Sequence, residues 1–123
     1  MFDVKYDQKK NRVYLKLEGF VKLEEAIAFR EACEAAHKKQ KPGASFLMDA
    51  RNLKTLPQDS LEEVQKTRSS AVKHGTSTGA TVMDESILTM QSKRTSKKVD
   101  GFKEAYFSDI YEAEQFLNKM AGA

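Results

Sequence analysis

Phe2, Val4 and Tyr6 alternate with polar residues, the two-residue period of a strand with one buried face. Residues 7–11, "DQKKN", form a polar turn. Residues 12–19, "RVYLKLEG", alternate again, with Val13, Leu15 and Leu17 on one side and Tyr14, Lys16 and Glu18 on the other. The two runs predict a hairpin near a sheet edge, where one face is partly wet. The rhythm then changes. In residues 22–41, Leu23, Ala26, Phe29, Cys33 and Ala36 recur at three- and four-residue steps, which is one face of a helix. Glutamates crowd its first half and lysines its end, as the helix dipole favours, and Pro42-Gly43 stops it.

The short apolar run "SFLMDA" (45–50) predicts a central strand covered on both faces. Residues 61–75 carry Leu61, Val64, Ala71 and Val72 at helical spacing, with Gly75 as a stop. "GATVMD" (79–84) predicts a second central strand. Residues 85–99 predict a weakly amphipathic helix and 104–108 a last strand. Residues 109–120 predict a last helix, with Ile110, Ala113, Phe116, Leu117 and Met120 turned inward. The predicted order is β-β-α-β-α-β-α-β-α, an α/β fold with a mostly parallel mixed sheet flanked by helices. No repeat, linker or internal boundary interrupts it, so residues 1–123 read as a single domain.

Composition narrows the function classes. The net charge of +3 is a mild excess, unlike the strong one-sided basic bias of a nucleic-acid binder. The single cysteine allows no internal disulfide framework. No apolar run reaches the roughly 20 residues that span a bilayer, and the first residues lack the apolar core of a signal peptide. These features imply a cytoplasmic protein with no stable membrane insertion.

Candidate chemistry is sparse. Ser60-Leu61-Glu62-Glu63 reads as a capping box, in which the Ser60 hydroxyl accepts from a free backbone N–H and Glu63 reaches back. Asp59 offers an alternative cap one residue earlier, with Glu62 as its partner. A helix start also receives phosphate well. Asp49 and Asp84 each end a predicted central strand, at the sheet edge where α/β proteins bind ligands. With Arg51 nearby they could hold a cation or do acid–base work, although an Asp at a strand end often serves only a turn. Cys33 lies on an apolar stripe and reads as core. His37 and His74 are isolated in sequence and show no metal-ligand spacing. "HGTSTGA" (74–80) reads as a connector, because it lacks the Gly-Lys-Ser/Thr ending of a phosphate loop. "SKRTSKK" (92–98) reads as a solvated helix end. Ile87, Leu88 and Met90, beside that basic run, suggest a protein contact.

The element order, "SFLMDARNL", "PQDSLEE" and "AYFSDIYEAEQFL" together resemble the STAS-type, SpoIIAA-like family over nearly the whole chain. That family includes anti-sigma-factor antagonists and domains of sulfate transporters. The resemblance implies a non-enzymatic regulatory module, free of cofactor and metal, that binds another protein near residues 53–64 and 85–95. Asp49, Asp59, Ser60, Glu63 and Asp84 would lie at that contact, and a homodimer is compatible with it. The resemblance also makes Ser60 a phosphorylation candidate. Where signalling members read Asp-Ser-Ser-Gly-Leu, this chain has Asp59-Ser60-Leu61-Glu62. Asp59, Glu62 and Glu63 would repel a phosphate dianion there. The chain looks closer to the divergent SpoIIAA-like group, related in fold to CRAL-TRIO domains. That kinship implies an alternative role, binding a small lipid or other apolar ligand.

Overall fold

The structure is a computed structural model that describes residues 1–84 and 102–121. β1 (Phe2–Asp7) and β2 (Arg12–Leu17) form the expected hairpin, with Phe2 opposite Leu17 and Asp7 opposite Arg12. Its turn is built locally. The Asp7 carboxylate accepts the Lys10 N–H at 3.1 Å, and Asn11 takes a left-handed φ of 52°. Asn and Asp tolerate that region because their short polar side chains bond nearby backbone. Asn11 Oδ1 accepts the Tyr6 hydroxyl and the Lys41 N–H, and its amide donates to the Lys41 carbonyl. One side chain thus ties the hairpin turn to the turn that leads into the next main-sheet strand.

β3 (Gly19–Phe20) follows, then α1 (Leu23–His37), β4 (Ala44–Asp49), β5 (Leu53–Thr55), α2 (Gln58–Lys73), β6 (Thr76–Val82), β7 (Lys103–Phe107) and α3 (Ile110–Ala121). The main sheet runs β1-β2-β4-β6-β7. Its β1–β2 pair is antiparallel and the other three pairs are parallel. The architecture is therefore α/β, with three helices among the described residues and a mostly parallel mixed sheet. β3 and β5 form a separate two-stranded parallel ribbon that the hydrophobic pattern does not reveal, since two or three residues cannot establish a period. The expected helix over 85–99 lies outside the described residues.

Alternation along the strands explains the two layers. Val13, Leu15, Leu17 and Phe46 point to the face covered by α1 and meet Ala26, Phe29 and Cys33. The intervening positions on β4 and β6, Leu47, Ala80 and Val82, point the other way and meet Ala113 and Leu117 of α3. Fully burying one such large side chain is worth roughly 1.5–3 kcal/mol. Ile110, expected to turn inward, is 39% exposed; it opens α3 before that helix settles on the sheet.

β6 begins three residues earlier than expected and takes in much of the stretch read as a connector. Thr76, Thr78, Gly79 and Thr81 are β6 residues paired with β4 or β7. Gly79 has a packing reason to be there. A Cβ on it would lie 2.3 Å from the Phe46 ring, so only glycine lets that ring lie across the strand. Gly75 also needs its identity, with φ at +94° and a Cβ position 3.0 Å from the Pro42 backbone.

Candidate functional site

The start of α2 corrects the capping expectation. The helix begins at Gln58, with Pro57 extended in the cap position and no side-chain cap bond. The first helical hydrogen bond runs from Leu61 N–H to the Pro57 carbonyl at 2.8 Å. Ser60 is therefore the third residue of the helix rather than its cap. Its side chain is fully buried, and its Oγ has no hydrogen-bond partner among the described residues. A hydroxyl placed so is not presented at the surface in this conformation. Asp59 is exposed and its carboxylate accepts the Ser60 N–H at 2.8 Å. Glu63 does not reach back to a cap. It accepts from Arg30 of α1 at 2.7 Å and from Lys66 at 3.2 Å. Burial pushes its carboxyl up, but the hydrogen bonds from Lys66 and Arg30 outweigh this and hold it below the usual range. Because the helix already begins at Gln58, Ser60 is not in the cap position, and Glu63 turns to the cation on α1 instead.

The carboxyl edge of the sheet brings the ends of β4 and β6 side by side. Asp49 pairs across the parallel ladder with Val82, and Asp84 follows two residues on. The Asp49 carboxylate, nearly buried, accepts from Arg51 Nε at 2.9 Å and Nη2 at 2.8 Å, and from the Arg51 N–H at 3.2 Å. Those bonds to Arg51 outweigh the upward push of burial and hold the Asp49 carboxyl below the usual carboxylate range. Such bidentate pairing occupies both oxygens. Asp49 thus serves the turn after β4, with its acid–base capacity spent. Asp84 is exposed beside it. Residues 85–95, expected at a partner contact, and the basic run 92–98, read as a solvated helix end, lie outside the described residues.

The described residues do form a cavity, of about 460 Å³, between α2 and the carboxyl half of the sheet. Leu15, Phe46 and Met48 supply part of its wall from the sheet, and Leu61, Val64 and Ala71 supply another from α2. Leu53 and Leu56 extend it, so the 53–64 segment singled out in the sequence is part of its boundary. The volume and lining fall in the range of small-molecule pockets, which are mostly apolar with a few polar groups. The polar groups here include His37, Thr67, Thr81 and Tyr106.

His37 corrects a further expectation. The two histidines are far apart in sequence but their rings stack, with centroids 6.0 Å apart. Ser70 joins them: its hydroxyl lies 2.8 Å from His37 Nδ1, and its carbonyl lies 2.9 Å from His74 Nδ1. A carbonyl only accepts, so His74 carries its proton on Nδ1. Burial first, then the adjacent His74, lowers the His37 pKa to about 4. The sequence signal for this pair is present but weak. His37 falls in line with Cys33 on the helix stripe, and Ser70 and His74 are one turn apart. Cys33 itself is fully buried, and burial pushes its thiol up to about 12, the behaviour of a core residue. Among the described residues, no three His, Cys, Asp or Glu side chains gather as a metal-ligand set. No described helix is long and apolar enough to cross a membrane.

The chain matches no protein-family model, and none of the curated proteins compared with it matches.

Proposed function

We propose that this chain is a non-enzymatic binding module of the STAS-like, SpoIIAA-like kind, and that it takes an apolar ligand in the cavity beside α2. One observation carries the reading: a partly open pocket of about 460 Å³, of whose lining residues a little over half are Leu, Phe, Met, Val or Ala. A concave, pre-formed pocket of this size with a few polar groups in an apolar lining is the usual form of a small-molecule site. The buried, high-pKa Cys33, the inaccessible Ser60 and the Arg51-bound Asp49 all favour binding over catalysis. The test is mass spectrometry of organic extracts of the natively purified protein. A stoichiometric apolar compound is the expected result. Its absence, together with no thermal shift across a panel of apolar molecules, rejects the reading.

The boundary of the cavity favours a second reading, in which the occupant is an apolar side chain of a partner protein. Leu53, Leu56, Leu61 and Val64 lie on or beside the segment that the resemblance assigns to a partner contact, with Asp59 exposed next to it. Under this reading Leu56→Arg abolishes capture of one partner that the unmodified chain retains. A partner captured equally by both proteins counts against it.

A further inference from the structure

We propose that the cavity's ligand is uncharged: an apolar body carrying one hydrogen-bonding group, which is read by His37. The proposal rests on the ligand-site reading of the cavity given above. Four lining residues are ionisable: His37, Lys54, Arg68 and Tyr106. Arg68 is already neutralised, since its Nη2 donates to Glu104 at 2.6 Å. Lys54 is exposed, so it belongs to the mouth rather than the floor. Burial pushes the Tyr106 phenol up, which keeps it neutral. His37 is the buried member, 3% exposed. The groups acting on it are Glu34 from its own helix, Ser70 from α2 and His74 just beyond α2, and their balance with burial keeps the ring neutral.

A carboxylate or phosphate entering this space would therefore lose its hydration without meeting an unpaired buried cation. That cost is large unless a charge is paired. A hydroxyl or carbonyl meets a different situation. His37 Nδ1 is taken by Ser70, so Nε2 is the ring atom left for a ligand. Thr81 of β6, 7% exposed, also lines the cavity and brings a hydroxyl to it. A site that offers hydrogen bonds discriminates strongly against a molecule that cannot make them.

The chain's methionines make the experiment direct. Met48 and Met83 line the cavity, whereas Met1 is 70% exposed and Met120 lies on α3, across the sheet. The full chain, labelled at its Met methyl groups, is titrated at pH 7.5 with 1-octanol, octanoate and octane, followed by NMR. Octanol is expected to shift Met48 and Met83 saturably, leave Met1 and Met120 in place, and bind at least tenfold more tightly than octanoate. His37→Phe and, separately, Thr81→Val are expected to weaken octanol several-fold while leaving octane unchanged. Octanoate binding as tightly as octanol at Met48 and Met83 overturns the proposal but leaves the cavity reading standing. Octane binding as tightly as octanol overturns the role of His37. No shift of Met48 or Met83 with any of the three overturns both the proposal and the cavity reading.

Discussion

The two faces of the sheet solve the same burial problem differently. Beneath α3 lies a compact apolar cluster. Leu47, Ala80, Val82, Ala113 and Leu117 fill it, and a charged network seals its amino-edge rim. Arg12, only 1% exposed, donates from Nε to Ser45 at 2.9 Å and from Nη1 to Asn118 at 3.1 Å. It also lies 3.1 Å from Glu114 Oε2, while Tyr14 and Lys10 donate to Glu114 Oε1 at 2.6 and 2.9 Å. Beneath α1 and α2 the apolar core is larger, but it leaves a cavity, a Ser60 hydroxyl without a hydrogen-bond partner among the described residues, and a buried neutral histidine. The lesson is that each face leaves a buried oxygen without a hydrogen bond among the described residues, Glu114 Oε2 under α3 and Ser60 Oγ in α2, while the cavity lies on the second face.

The contrast can be tested from its largest expected effect downwards. Ser60→Asp would bury an unpaired carboxylate in the α2 layer and is expected to cost about 4 kcal/mol in urea denaturation. A melting temperature equal to that of the unmodified chain would show that Ser60 is a cap after all. On the α3 face, Arg12→Ala leaves Glu114 without its buried cation and is expected to cost about 3 kcal/mol by the same assay.

Acid should separate the layers. With a pKa near 4 in the fold against about 6.5 unfolded, His37 is neutral where the unfolded chain is protonated. Stability is therefore full above pH 6.5 and falls as pH drops towards 4, by about 3 kcal/mol from this group. A His37→Gln variant should lose most of that slope between pH 6.5 and 4, which denaturation at several pH values would reveal. Gly79→Ala pushes a methyl into the Phe46 ring and is expected to cost about 2 kcal/mol. Smallest is Ser60→Ala. It removes a buried hydroxyl that has no hydrogen-bond partner among the described residues, so stability should stay within about 1 kcal/mol or rise.

Much of this fold was legible in the chain. The alternation of Val13, Leu15 and Leu17 and the spacing of Ala26, Phe29 and Cys33 identify β2 and α1 because burial on one face leaves a periodic trace. What failed to show has physical causes. β3 and β5 are too short for a period. Thr76 and Thr78 sit in a strand although Gly and Thr nearby suggest a loop, because pairing with β4 and β7 overrides local preference. α2 starts earlier than the local capping pattern implies, at Gln58, and Glu63 pairs instead with Arg30, distant in sequence. The cavity and the His37–His74 pair were hidden for the same reason, being products of tertiary neighbours rather than spacing. Asp49 and Asp84 did come to one edge as their strand-end positions implied, but Arg51 occupies Asp49.

The parallel ladder has a kinetic corollary. Arg12 pairs with Ser45 and Phe46 with Gly79, an offset of 33 residues in each case. Closing either crossover costs the chain about the same entropy, since that cost depends only weakly on loop length. The β1–β2 hairpin, whose partners are far closer in sequence, forms in microseconds, so it is the natural seed. The β6–β7 pairing has a similar offset, with Val82 opposite Phe107, so the parallel crossovers cost comparable entropy, and a stopped-flow trace should show a single slow phase rather than one half locking before the other.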